Sequence, residues 1–189
     1  MEENTYDYIT VEQKWQNKWF EANINVARKE KQKKFFLHFA YPGVSGYLHV
    51  GHMRGFTYCD VIARYKRMTG YDVLYPAGFH ASGIPSVGFA KKVERQDEDT
   101  IKLLKQNGCT EEFIKKLTDP IEVVNYFSKV YVDDYWKRFG FLIDYTRLMN
   151  TISEGYKKFI QWQFHKLHEK HLLIQKPHYA PYCPSCGPV

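Results

Sequence analysis

The feature that most constrains this chain lies between residues 35 and 76. FFLHFAY (35–41) is a short aromatic run, bounded by charge before it and by Pro42-Gly43 after it, as a buried strand would be. From about Tyr47 to Met68 the pattern turns helical. Val50, Val61, Ile62 and Tyr65 are expected to supply its apolar contacts, and Gly70 sits where a helix stops. YDVLYP (71–76) is a second short apolar strand. Strand, glycine-rich turn, helix and strand in this order form one βαβ unit, parallel and right-handed. The fold class is therefore α/β.

The turn inside that unit reads PGVSGYLHVGH, residues 42–52. A helix that opens at the carboxyl end of a parallel strand aims unpaired N–H groups and a positive dipole end into a crevice, where phosphate binds readily. Gly43 and Gly46 let the backbone turn tightly, and Gly51 offers a bare surface to a flat base. His49 and His52 stand three apart on the first helical turn, so both rings lean to one side. Two imidazoles there could donate to phosphate oxygens and stabilise charge growing on an α-phosphoryl group. As a metal pair they would need further ligands that the local sequence does not supply. A nucleotide phosphate site is the reading that uses strand, glycines and histidines together.

Elsewhere the pattern is mostly helical. Thr10-Val11-Glu12-Gln13 has the form of a capping box for a helix over 10–22, with Trp15 and Trp19 on one face. The lysine-rich RKEKQKK (28–34) reads as a solvated linker. Asp97 to Gly108 is charged and begins an insertion or a surface helix. Asp119-Pro120 caps a further helix that ends at Gly140, with Val124, Phe127, Tyr131, Tyr135 and Phe139 on its buried face. Ser153-Glu154 opens another, continuing to about His171, whose stripe of Phe159, Trp162, His165 and His168 reads as core plus solvated face. The tail YAPYCPSCGPV has neither period. With 44% of the chain hydrophobic and 17% of it aromatic, a core can be buried. The net charge of +6 permits a polyanionic partner without demanding one. No apolar run approaches the ~18 residues of a membrane span, and MEENTYDYIT carries no secretory or organelle signal. The expected place is the cytoplasm, and the expected state of Cys59, Cys109, Cys183 and Cys186 is the reduced thiol.

LHVGH (48–52) resembles the "HIGH" signature of class I aminoacyl-tRNA synthetases, with valine at its second position. AYPGVSGYLHVGHMRG extends the likeness towards the leucine, isoleucine and valine subgroup. DVIARYKRMTGYDVLYPAGFHASGIP (60–85) resembles leucyl-tRNA synthetases of the archaeal and eukaryotic type, where His80 stands in place of an aspartate. GFLIDYTR (140–147) and FIQWQFHKLHEKHLL (159–173) fit the same family. The resemblance runs from Tyr6 almost to the end.

That resemblance implies the first half of a Rossmann-like nucleotide fold, with leucine, ATP and tRNA(Leu) as partners and Mg2+ accompanying ATP. Pro42, Gly43, Ser45, Gly46, His49, Gly51 and His52 would bind ATP, with His49 and His52 catalytic at the phosphates. Phe39, Ala40 and Tyr41 would line the amino-acid pocket. His80, at the end of the second strand, would help hold the amino group; its alternative is a buried, hydrogen-bonded core histidine. Cys183-Pro184-Ser185-Cys186-Gly187 resembles a zinc knuckle, but supplies two thiolates of a four-ligand Zn2+ site, with His178 a candidate third; the other reading is two free thiols. The organisation implied is an amino-terminal helix and basic linker (1–34), the first catalytic half (35–175) and the start of an editing-insertion connection (176–189). The family's "KMSKS" lysine loop, editing insertion and anticodon-binding domain have no counterpart here. The expectation is therefore an amino-terminal half of the catalytic domain, inactive alone: a truncated product, an incomplete gene model, or a split subunit whose remainder is a separate chain. The rival readings are an isoleucyl- or valyl-tRNA synthetase, a non-catalytic paralogue that binds nucleotide or tRNA, and a nucleotidyltransferase outside the synthetases.

Overall fold

The computed structural model describes residues 6–28, 33–184 and 187–188. In chain order its elements are α1 (Tyr8–Glu21), β1 (Lys34–Phe36), α2 (Val50–Met68), β2 (Asp72–Leu74), β3 (Gly78–Phe79) and α3 (Ile84–Glu94). There follow α4 (Glu98–Gln106), α5 (Glu111–Lys116), α6 (Pro120–Val130), β4 (Met149–Asn150), α7 (Glu154–Glu169), β5 (Tyr182–Cys183) and β6 (Gly187–Pro188). The chain divides into two compact units. One is Met1–Tyr41 with Leu48–Ala77 and Lys129–Leu148; the other is Pro42–Tyr47 with Gly78–Ser128 and Met149–Val189.

The first unit contains the βαβ element. β1 and β2 pair in parallel, Lys34 opposite Asp72 and Phe36 opposite Leu74, with α2 as the crossover. Both strands are shorter than the apolar runs suggested, three residues each, with single backbone bonds continuing past them such as Leu37 N to the Leu74 carbonyl. The face of α2 that is buried is Met53, Phe56 and Ala63, with Asp60 among them. Val50, Val61, Ile62 and Tyr65, expected to face inward, are all exposed. Positions 53, 56, 60 and 63 follow the same helical period one register away, and the rings they meet decide between the two. Phe56 packs 4.3 Å from Phe39 and 5.9 Å from Trp136 between ring centres, and Phe39 lies edge-on to Tyr75.

Trp136 also corrects the second helical face. After Tyr131, which is buried, a π-helical stretch Tyr131–Lys137, bonded i to i+5, shifts the inward face by about one residue. The inward position therefore falls on Trp136, fully buried, while Phe139 is left more than half exposed. The π-helical stretch ends at Lys137, and Gly140, at φ +71° with the Phe141 amide donating to the Trp136 carbonyl, is the glycine stop expected there.

Buried carboxylates tie the 141–147 segment into this unit. Asp60 accepts from the Leu142 amide at 2.7 Å and from Arg64 at 2.6 Å. Asp144, fully buried, accepts from Ala27 N and from Thr146, and its own amide donates to the Tyr75 carbonyl at 2.7 Å. Each buried charge is thus multiply satisfied, as desolvation requires. At the start of α1 the cap is Asp7, not Thr10: Asp7 accepts from both the amide and the hydroxyl of Thr10, so the helix starts at Tyr8.

In the second unit β3 and β4 pair in parallel, and Gly43 forms a parallel bridge with His80. α4 is the surface helix anticipated for 97–108, capped by Asp97. α3 and α5 were not legible as helices; Gly83-Ile84-Pro85 and a six-residue span hide them from a periodicity reading. Val124 and Phe127 are buried as expected, and Val123 is buried beside them. α7 buries none of its residues: Phe159 and Trp162 are both more than half exposed, so the stripe read as core is a surface. In the tail, β5 and β6 pair antiparallel, Cys183 opposite Gly187. Two-residue strands are too short to leave a period.

Candidate nucleotide site

In the first unit the site residues gather at the start of α2. His49 is the N-cap, with extended backbone (φ −113°, ψ 169°). Its Nδ1 accepts from the Gly51 amide at 3.1 Å, and the His49 amide donates to Nδ1 of His52 at 3.4 Å. This is a capping box built from two histidines in place of the usual hydroxyl and carboxamide. The chemical consequence is specific. A neutral imidazole that accepts at Nδ1 carries its proton on Nε2. Both rings, 4.0 Å apart between centres, therefore hold an N–H donor on the side away from the helix backbone. Burial, and after it the neighbouring His49, holds the His52 imidazole below its ordinary pKa, which favours this neutral tautomer.

Gly51 has a further reason to be glycine. A Cβ there would lie 2.9 Å from His49 Cε1 and 3.0 Å from His49 Nδ1. The bare position is filled by its neighbour's ring. Phe39 is buried in the aromatic cluster, Ala40 is exposed and Tyr41 is half-buried, 6.5 Å from the Phe39 ring. The Phe39 carbonyl lies 3.0 Å from Nδ1 of His38.

In the second unit the turn is held from several directions. The His80 amide donates to the Pro42 carbonyl at 2.9 Å, and the Val44 amide donates to the His80 carbonyl at 3.2 Å. His80 follows β3, not β2, so it does not stand at the end of the strand that pairs with β1. It is exposed, which excludes the reading of a buried core histidine. Ser86, buried in α3, donates to the Val44 carbonyl at 2.8 Å. Tyr47 and Tyr126 share a hydrogen bond of 2.7 Å, and Cys109 Sγ donates to the Tyr126 oxygen at 3.1 Å. Pro42 is buried; Gly43 is exposed, and Ser45 and Gly46 are half-buried. Ser86 and Tyr126 carried no sequence signal, since each lies tens of residues away from the turn it touches, nor did Cys109, which bonds Tyr126.

Cys183 ends β5, and Cys186 lies outside the described residues. Among the described residues no three His, Cys, Asp or Glu side chains converge as a metal site would require, and no helix is long and apolar enough to cross a membrane.

Residues 11–188 match the family model described as tRNA synthetases class I (I, L, M and V). The chain is 41% identical over 181 residues to the leucine–tRNA ligases of Methanococcoides burtonii and Methanocaldococcus jannaschii, covering 95% of this chain and 19% of each relative. It is 41% identical over 187 residues to that of Pyrococcus horikoshii, covering 96% of this chain and 19% of the relative. Among solved structures, the ternary complex of Agrobacterium radiobacter K84 agnB2 LeuRS with tRNA and LeuAMS superposes with a TM-score of 0.66 at 25% identity. That match covers 95% of this chain and 20% of the other. The chain thus spans about a fifth of the length of the proteins it matches.

Proposed function

Because the chain belongs to the class I tRNA synthetases (I, L, M and V), we propose that it is the amino-terminal part of the catalytic domain of a leucine–tRNA ligase acting in the cytoplasm. The observation that carries the chemistry is the double-histidine cap of α2, whose two Nδ1 atoms are occupied by backbone amides. Both Nε2–H groups then serve as donors to ATP phosphate oxygens. The amino-acid assignment is supported by the 41% identity to leucine–tRNA ligases across 95% of the chain.

In this reading the turn Pro42–Gly46 of the second unit and the histidine-capped start of α2 in the first would each contribute to ATP binding, and Mg2+ accompanying ATP would supply neutralisation of phosphate charge. A carboxylate oxygen of leucine attacks the α-phosphorus, the bond to the leaving pyrophosphate breaks, and leucyl-adenylate forms. His49 and His52 donate to oxygens on which charge grows, and no covalent enzyme intermediate is needed. A hydroxyl of the terminal adenosine of tRNA(Leu) then attacks the leucyl carbonyl and AMP departs. Phe39–Tyr41 of the first unit would line the pocket for the amino-acid side chain, and the exposed imidazole of His80 in the second would be an acceptor for the ammonium group. Cys183 and Cys186 supply at most two thiolates to a zinc knuckle, and no step runs through one.

The test is leucine-dependent exchange of pyrophosphate into ATP by the complete synthetase. His49→Ala with His52→Ala is expected to lower exchange ~100-fold or more. Near-normal exchange by the double variant refutes the phosphate assignment. A higher kcat/KM for isoleucine or valine than for leucine refutes the subgroup.

A further inference from the structure

We propose that Tyr126 and Ser86 are positioning residues for the ATP-binding turn, acting on nucleotide affinity and not on the chemical step. The inference rests on the synthetase reading above, and concerns residues that touch neither histidine.

Pro42 and Val44 pack the turn from within, both buried, and its backbone groups and last large residue are held from outside as well. In the second unit each end has such a hold. Val44 lies between the two glycines, and its carbonyl accepts from the buried Ser86 hydroxyl on α3. Its amide is bound to the His80 carbonyl. Tyr47 closes the turn after Gly46, and its hydroxyl meets that of Tyr126 on α6. The Tyr126 oxygen also accepts from Cys109, and either phenol can donate across the Tyr47–Tyr126 bond. The rings are locked too: Tyr47 stands edge-on to Phe127 at 5.1 Å, and Tyr126 packs against Phe113 at 5.2 Å. Burial, and after it the bonds from Cys109 and Tyr47, pushes the Tyr126 phenol far above its ordinary pKa. It keeps its proton at every working pH. A turn held by side chains from two helices is pre-organised for its ligand, and loosening it costs binding without altering the transition-state donors.

The experiment uses the complete synthetase, assayed by leucine-dependent exchange, with Tyr126→Phe, Tyr47→Phe, the double variant and Ser86→Ala. The phenylalanine changes keep both rings and remove only hydroxyls. Each single variant is expected to raise KM for ATP roughly three- to tenfold, the worth of one hydrogen bond. Turnover at saturating ATP should stay within about twofold of the unsubstituted enzyme, as loss of uniform binding predicts. KM for leucine should not move. The double tyrosine variant should be no worse than either single one, because the two hydroxyls share one bond. Ser86→Ala reports independently should the tyrosine variants fold poorly. An unchanged KM for ATP in all four overturns the proposal, as does a rise matched by KM for leucine. Absence of exchange from the unsubstituted enzyme would instead sink the synthetase reading on which it rests.

Discussion

Gly51→Ala separates the fold of α2 from its chemistry. Alanine inside a helix normally stabilises it relative to glycine, by about 0.8–1.0 kcal/mol. Here the new Cβ would sit 2.9 Å from His49 Cε1 and 3.0 Å from the Nδ1 that accepts the residue's own amide. The ring must turn away, and the cap is lost with it, at a cost of ~1 kcal/mol. The two terms cancel, so urea unfolding of the complete enzyme should shift by no more than about 0.5 kcal/mol. Activity should not be spared. Moving the His49 Nε2–H off the phosphate removes one transition-state donor, and leucine-dependent exchange should drop ~100-fold. A stability gain near the full ~1 kcal/mol would show that the cap survives the methyl group. Together with near-normal exchange, it would refute the argument that His49's ring occupies the space a side chain would need.

Three further outcomes follow from the same geometry. His52 is held below its ordinary pKa, so between about 6.5 and its folded value the unfolded chain binds a proton that the folded chain does not. Thermal stability should therefore fall as pH drops through that window, and His52→Gln should flatten the dependence; an unchanged slope would refute the assignment. Asp60→Ala leaves the Leu142 amide and Arg64 without their shared acceptor. Because Arg64 is partly solvated, the loss in denaturant unfolding should be about 2–4 kcal/mol, below the worst case for a fully buried pair, and a loss under ~1 would refute it. A polypeptide of residues 1–189 alone should give no leucine-dependent exchange. It exposes Tyr58, Val61, Ile62 and Tyr65 on α2 and the aromatic face of α7 to water. Robust activity from it would overturn the reading as part of a larger catalytic domain.

The local order of elements was written in the sequence. Strand, glycine turn, helix and strand could be read in order because each depends on neighbours within a few residues. The surface helix at 97–108 and the cap at Ser153 were legible for the same reason. What lay beyond the sequence was which face meets which. On α2 two helical stripes were both apolar, and only the placement of Phe39, Tyr75 and Trp136 selects Met53, Phe56 and Ala63 over Val50, Val61 and Ile62. A π-helical turn moved the inward position from Tyr135 to Trp136, a one-residue phase change invisible to a constant period. α7 carries an amphipathic pattern yet buries nothing, because periodicity records a face that needs a partner and not whether one is there. The hydroxyls of Ser86 and Tyr126 reach the turn across 42 and 79 residues of chain, and separations of that size are decided by tertiary packing alone.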